Sequence, residues 1–233
     1  MREIIFDTET TGLSPLAGDR VVEIGCVELF NRIETGRTFH SYFNPGRAMP
    51  SEAEAVHGLS DRFLSDKPAF ADVCEALIEF IGESPMIAHN ASFDFGFINA
   101  ELGACGRPVV CMSRMVDTLA IARQKFPGAK HSLDALCTRF GVDRSQRTKH
   151  GALLDAQLLA QVYVELTGGR QIGLTLVAET GVDAAGAADS TDEAPPPLTV
   201  VVRPARPHAA SAEELARHVA FLAGIKDPIW NIL

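Results

Sequence analysis

The stretch FDTETTGL, residues 6–13, follows directly on the apolar run REIIF and places two carboxylates, Asp7 and Glu9, one residue apart. In a strand, residues i and i+2 leave the same face. The two acids therefore lie side by side and repel. A chain keeps such a pair where a cation sits between them or where both face water, and the remaining sequence has to decide which.

Residues 2–6 read as a buried first strand. VVEIGCVEL (21–29) and RTFHSYFNP (37–45) read as a second and third, joined by a turn over residues 31–36 into a meander. SEAEAVHGLS predicts a short helix with Ser51 as N-cap and Glu54 three residues on. FADVCEALIEFIG carries apolar residues at helical spacing and ends at Gly82. PMIAHN is a short buried strand, and SFDFGFINAELGACG a helix capped by Ser92. Residues 115–126 read as mostly helical. SLDALCTRFG is a helix capped by Ser132 and stopped by Gly141, and ALLDAQLLAQVYVELTGG a long helix ended by Gly168-Gly169. Strands first, then strands alternating with helices, imply an α/β mixed β-sheet flanked by helices, closing near residue 169.

The 233 residues are 46% hydrophobic and 22% charged, ample for one buried core. Five scattered cysteines without a CxxC pair fit reduced thiols, no secretory signal precedes the first strand, and no apolar run approaches the ~18 residues of a membrane helix; the expectation is a cytoplasmic protein with no membrane partner. The net charge of −9 gives no nucleic-acid footprint. Its distribution does. Residues 107–149 hold nine Arg and Lys against three Asp, which predicts a local basic rim for phosphates.

Two further acids stand in motifs of their own. HNASFD (89–94) puts Asp94 in the first turn of a helix after a strand, and KHGALLDA (149–156) puts Asp155 at the start of another, five residues after His150. Singly, either acid reads as a helix cap favoured by the dipole. Four carboxylates converging on one point repel strongly unless cations neutralise them. Hard oxygen ligands select Mg²⁺ or Mn²⁺. Two such ions, roughly 3.5–4 Å apart, serve phosphodiester hydrolysis. There is no P-loop, and no cysteine is placed for zinc. His89 reads as a structural histidine in an apolar strand. His150, between Lys149 and Gly151, reads as exposed and free to act.

FDTETTGL, HNASFD and HGALLDA, in that order, resemble the three exonuclease motifs of the DEDDh superfamily of 3′→5′ exonucleases, over residues 3–167. The resemblance implies a ribonuclease-H-like sheet and two divalent cations, Mg²⁺ or Mn²⁺. It implies Asp7 bridging both ions, Glu9 and Asp155 on one, Asp94 on the other, and His150 as general base. It carries Thr10, Thr11, Gly12 and Leu13 to the terminal nucleotide at a DNA 3′ end, with Leu13 as a wedge. His57, Asn90 and Phe93 go to the same subsite, Asn90 also as a support for Asp94 and Phe93 equally as core. Other members process RNA, so DNA hydrolysis stands beside an RNA-processing alternative and a non-catalytic adaptor.

Within the superfamily the chain is similar to the proofreading branch that serves bacterial DNA polymerase III. That resemblance implies a clamp-binding peptide at residues 170–176, carried by Gln171, Leu174 and Leu176, which would dock on the sliding clamp. Residues 177–211, rich in Ala, Gly, Pro, Asp and Ser, read as a flexible linker. Residues 212–233 turn apolar again, and the resemblance makes Phe221, Leu222, Ile225 and Trp230 contacts to the polymerase III alpha subunit. A theta-like subunit, present in some bacteria, leaves no footprint in the sequence.

Overall fold

The computed structural model describes residues 1–145, 147, 149–169 and 210–226. A five-stranded mixed sheet runs in the order β3-β2-β1-β4-β5, with β1 Arg2–Thr10, β2 Val21–Phe30, β3 Ile33–Tyr42, β4 Met86–Ala88 and β5 Met115–Asp117. β1 pairs antiparallel with β2 and parallel with β4, and β4 parallel with β5. The helices are α1 Ser51–His57, α2 Asp61–Leu64, α3 Phe70–Ile81, α4 Ala91–Ala104, α5 Thr118–Lys125, α6 Leu133–Phe140, α7 Ala152–Leu166 and α8 Ala212–Leu222.

Alternation along β1 sorts the two faces. Ile4 and Phe6 join a core with residues of α3 and α4, while Ile5 joins a second core with Ala156, Leu159 and Ala160 of α7. Asp7 and Glu9 share the parity of Ile5 and so belong to the α7 side; Thr8 belongs to the α4 side. Helix α7 is buried nearly all round, because its opposite flank (Leu158, Val162, Leu166) packs against α5 and α6. Its first turn rests directly on β2. Gly25 lies opposite Asp7 in the β1–β2 ladder, and a Cβ there would come within 2.3 Å of the Leu153 backbone. That missing side chain is what lets α7 bring Asp155 down to the sheet.

Several local expectations are corrected. The hairpin between β2 and β3 turns on Asn31-Arg32 alone, both at positive φ (51° and 64°), so β3 begins at Ile33 instead of Arg37. Two left-handed residues in succession form the tight turn whose twist matches the strands. Met115–Asp117 is a strand, with helix starting only at Thr118, where the Asp117 carboxylate caps the Leu119 N–H at 2.9 Å. A three-residue strand is too short to show a period. Pro50 takes the N-cap place of α1, leaving Ser51 inside, and Asn90 at φ 68° takes that of α4, two residues before Ser92. Ser132 and Gly141 do bound α6 as expected.

The chain divides into two units, residues 1–177 and 178–233. In the second, α8 opens with a reciprocal capping box between Ser211 and Glu214. Leu215 and Val219 stand one turn apart on this helix, exposed by 54% and 65%, with Phe221 at 66%. The expected clamp-binding residues Gln171, Leu174 and Leu176, most of the expected linker, and Trp230 lie outside the described residues. Among the described residues no helix is long and apolar enough to cross a membrane.

Candidate active site

The three motifs meet at the C-terminal end of β1. A cavity of about 270 Å³ is lined by Asp7, Glu9, Asp94, Arg147, His150 and Asp155. Glu9, Asp94 and Asp155 are each at most 8% exposed, whereas His150 is exposed. The parity of β1 explains the convergence. Asp7 and Glu9 face α7 and its Asp155, while Thr8, on the other face, donates its hydroxyl to Asp94 at 2.7 Å. One strand end thus gathers acids from helices on both sides of the sheet.

Electrostatically, carboxylates outnumber cations among the residues lining this cavity. Burial, then Asp94, Glu9 and Asp155, hold Asp7 well above the usual carboxylate range. Burial, then Glu23 and Asp155, push Glu9 up to about 8. Burial pushes Asp94 up to about 7 against the pull of the Thr8 hydrogen bond. Glu9 Oε1 is buried with no hydrogen-bond partner among the described residues. An orphaned buried carboxylate oxygen is costly unless something positive fills the space beside it. One ligand atom each from Glu9, His150 and Asp155 lies within 4.8 Å of the others, the spacing of groups that can share a metal ion. The donor set of carboxylates and one imidazole suits Mg²⁺ or Mn²⁺.

Arg147 was not marked by the sequence as a site residue, yet it is the cation in this cavity. It forms a fork on Asp155 at 2.5 and 2.7 Å, reaches Asp134 at 2.8 Å and His150 at 2.9 Å. Asp134 and Thr8 were missed as well. The available signal was the basic run itself, which the structure divides. Arg144 and Arg147 pair with Asp134, and with Lys149 they line a recess beside His150. Arg107 instead pairs with Glu75, and Arg114 donates to the Ser84 carbonyl.

A second cavity of about 380 Å³ adjoins the first through Thr8, Glu9 and Phe93. Thr10, Thr11, Gly12, Leu13, Val56 and His57 line it as well, with Pro50, Glu52 and Ala53 of the α1 start closing one side. Leu13 is 85% exposed at the rim. Gly12 is required by close approach: a Cβ would lie 2.4 Å from the Asp19 carboxylate, which accepts the Ser14 N–H and pairs with Arg47. His57 accepts the Leu59 N–H on Nδ1 and leaves a buried Nε2 unpartnered among the described residues. Asn90 lines neither cavity; it is exposed and its N–H is held by Asp117. His89 bonds Thr118 at 2.9 Å, the structural role expected of it, while also touching the first cavity.

An acid-lined cavity at a strand end, joined to an apolar one that could seat a base, defines a phosphoryl hydrolase site on a mixed α/β sheet. Residues 4–163 match the exonuclease family model. The DNA polymerase III subunit epsilon of Rickettsia felis is 47% identical over 228 residues, covering 97% of each chain. That of Escherichia coli is 46% identical over 176 residues, 72% of each. Exonuclease X in complex with 5′ overhanging duplex DNA aligns with a TM-score of 0.57 at 26% identity, over 71% of this chain and 90% of that one. The nuclease domain of 3′hExo, a DEDDh family member, has the same fold, with a TM-score of 0.62 at 17% identity over 71% and 91% of the two chains. The chain belongs to the exonuclease family and, within it, to the family of DNA polymerase III epsilon subunits.

Proposed function

We infer that the protein is a 3′→5′ exonuclease that removes the terminal nucleotide of DNA, the proofreading activity of DNA polymerase III. The observation that carries the chemistry is the buried Glu9 oxygen, without a partner among the described residues, beside Asp7, Asp94 and Asp155, a constellation suited to cations.

Asp7, Glu9, Asp94 and Asp155 would hold two divalent ions, Mg²⁺ or Mn²⁺. When bound, these supply positive charge at the phosphate and acidify water. The chain's own groups do the rest. The Thr10–Thr11–Gly12–Leu13 turn grips the terminal nucleotide in the apolar cavity, with Phe93 and His57 against it and Leu13 wedged at its open side. His150, exposed beside Asp155, takes the proton from the attacking water. The new bond forms to phosphorus as the bond to the 3′-oxygen breaks. The products are a nucleoside 5′-monophosphate and a strand one nucleotide shorter. The recess lined by Arg144, Arg147 and Lys149 supplies sequence-independent phosphate contacts.

Residues 1–169 form the catalytic domain and 212–233 the segment that binds the polymerase alpha subunit in the cytoplasm; the apolar stripe of α8 supports the latter. Residues 177–211 join the two. Gln171, Leu174 and Leu176 dock on the sliding clamp, and a theta-like subunit is a further partner. The intact set of Asp7, Glu9, Asp94, His150 and Asp155 argues against a non-catalytic adaptor.

The test is degradation of a 5′-labelled primer–template bearing a 3′ mismatch, with matched and RNA controls, in Mg²⁺, in chelator and with Asp7→Ala. Metal-dependent laddering, faster on the mismatch and abolished in Asp7→Ala, is expected. Cleavage of RNA alone would replace this reading with an RNA-processing one.

A further inference from the structure

One guanidinium holds both groups that the inferred reaction needs free. Arg147 Nε and Nη2 engage the two oxygens of Asp155 at 2.5 and 2.7 Å, so each oxygen already carries a cationic partner and keeps one further lone pair. Nη2 also lies 2.9 Å from His150 Nδ1 and 3.5 Å from its Nε2, so the guanidinium sits against the imidazole, whose Nδ1 is 3.3 Å from Asp155 Oδ2. It crowds the ring that would take the water's proton. The third prong, Nη1, bonds Asp134 at 2.8 Å, and the Arg147 side chain is only 9% exposed.

A divalent ion held by Asp155 needs at least one of those oxygens, and two cations cannot crowd one buried carboxylate without strong repulsion. Asp134 is half exposed and already shares its Oδ1 between Arg147 and Arg144. It offers the guanidinium a second anchor outside the carboxylate cluster.

We propose that Arg147 is a built-in placeholder cation: it neutralises Asp155 and crowds the His150 ring until a divalent ion takes Asp155, and then swings onto Asp134. This rests on the reading of Asp155 as a metal ligand. It makes Arg147 a positioning residue that sets the site's open and closed states. The sign of one measurement separates it from an arginine that orients Asp155 for the metal. A placeholder competes with the metal, so its removal tightens binding; an orienting residue helps, so its removal weakens binding.

The experiment titrates the full chain with Mn²⁺ alone, without DNA, following free Mn²⁺ by electron paramagnetic resonance. Arg147→Gln should bind at least about fivefold tighter than wild type, because the competing charge is gone. Arg147→Lys, whose single ammonium cannot fork both oxygens, should fall between and carries the test should the glutamine variant fold poorly. A second readout is the ¹⁵N spectrum of the Arg147 side chain: its Nε resonance should shift on adding Mg²⁺ as the fork on Asp155 opens, and an unmoved resonance overturns the swing. Equal or weaker Mn²⁺ binding by both variants overturns the proposal. Asp155→Asn tells the two failures apart. If it binds Mn²⁺ as wild type does, the metal reading of Asp155 falls and the placeholder with it. If it binds more weakly while the Arg147 variants bind no tighter, the placeholder alone falls.

Discussion

Asp7 and Glu9 sit side by side because β1 gives i and i+2 the same face, and that face looks at α7. At this scale chemistry dominates packing. His150 contributes little to the core, being about half exposed, so replacing it should leave the fold intact. His150→Gln is expected to lower the rate of nucleotide release about 10²–10⁴-fold, the usual size of the general-base role proposed for it, with an unchanged melting temperature. Rate and melting measured on one preparation check this. The five motif residues were legible in the sequence because each stands in its own short, ordered context. Arg147, Asp134 and Thr8 were not. Nothing local marks an arginine in a basic run as the one that folds back onto Asp155, and the Thr8–Asp94 bond joins residues 86 positions apart.

Among elements, a half-buried ion pair ties the β1–β2 loop to α4. Arg20 forks onto the Glu101 carboxylate at 2.7 Å on both prongs, and the same carboxylate accepts the Val21 N–H. Glu101 is 3% exposed while the Arg20 side chain is 43% exposed, so solvent screens one partner. Glu101→Gln should cost about 1–3 kcal/mol by leaving buried hydrogen bonds poorly matched. That corresponds to a melting temperature lower by roughly 3–10 °C. The KM for single-stranded DNA should also rise, since Gly12 and Leu13 lie on the tethered loop. Calorimetry and steady-state kinetics read the two effects. Element order was legible from alternation and helical spacing. The residues around β5 and the β2–β3 turn were not, since a three-residue strand has no period and Asn-Arg is not a usual left-handed pair.

For the molecule as a whole, the acid cluster links stability to pH. Glu9 and Asp94 have folded pKa values raised to about 8 and about 7 from ordinary values of 4.5 and 3.8. Between about pH 4 and 8 the folded chain therefore holds protons that the unfolded chain has released. The contribution of these two acids to stability therefore falls as pH rises through that window, opposed at its acid end by His57 and His89, whose burial holds them below the usual imidazole range. Melting in chelator should decline up to pH 8. Saturating Mn²⁺ should flatten the decline, because a bound cation replaces the protons. A chelated protein whose melting temperature climbs steadily from pH 5 to 8 would contradict the linkage.

The bare backbone at Gly25 has a consequence for the cell. α7 rests on it so closely that the methyl group of Gly25→Ala would meet the Leu153 backbone. The helix would have to lift, taking Asp155 away from Asp7, at a cost of about 1–3 kcal/mol. Such a lesion worsens with heat, as the loosened helix frays while a polymerase partner goes on synthesising. A bacterium carrying it should grow at a normal pace yet gather replication errors, few in the cold and many when warm. Counting spontaneous drug-resistant colonies at two temperatures would reveal a heat-dependent mutator, and equal counts would show that the helix tolerates the methyl.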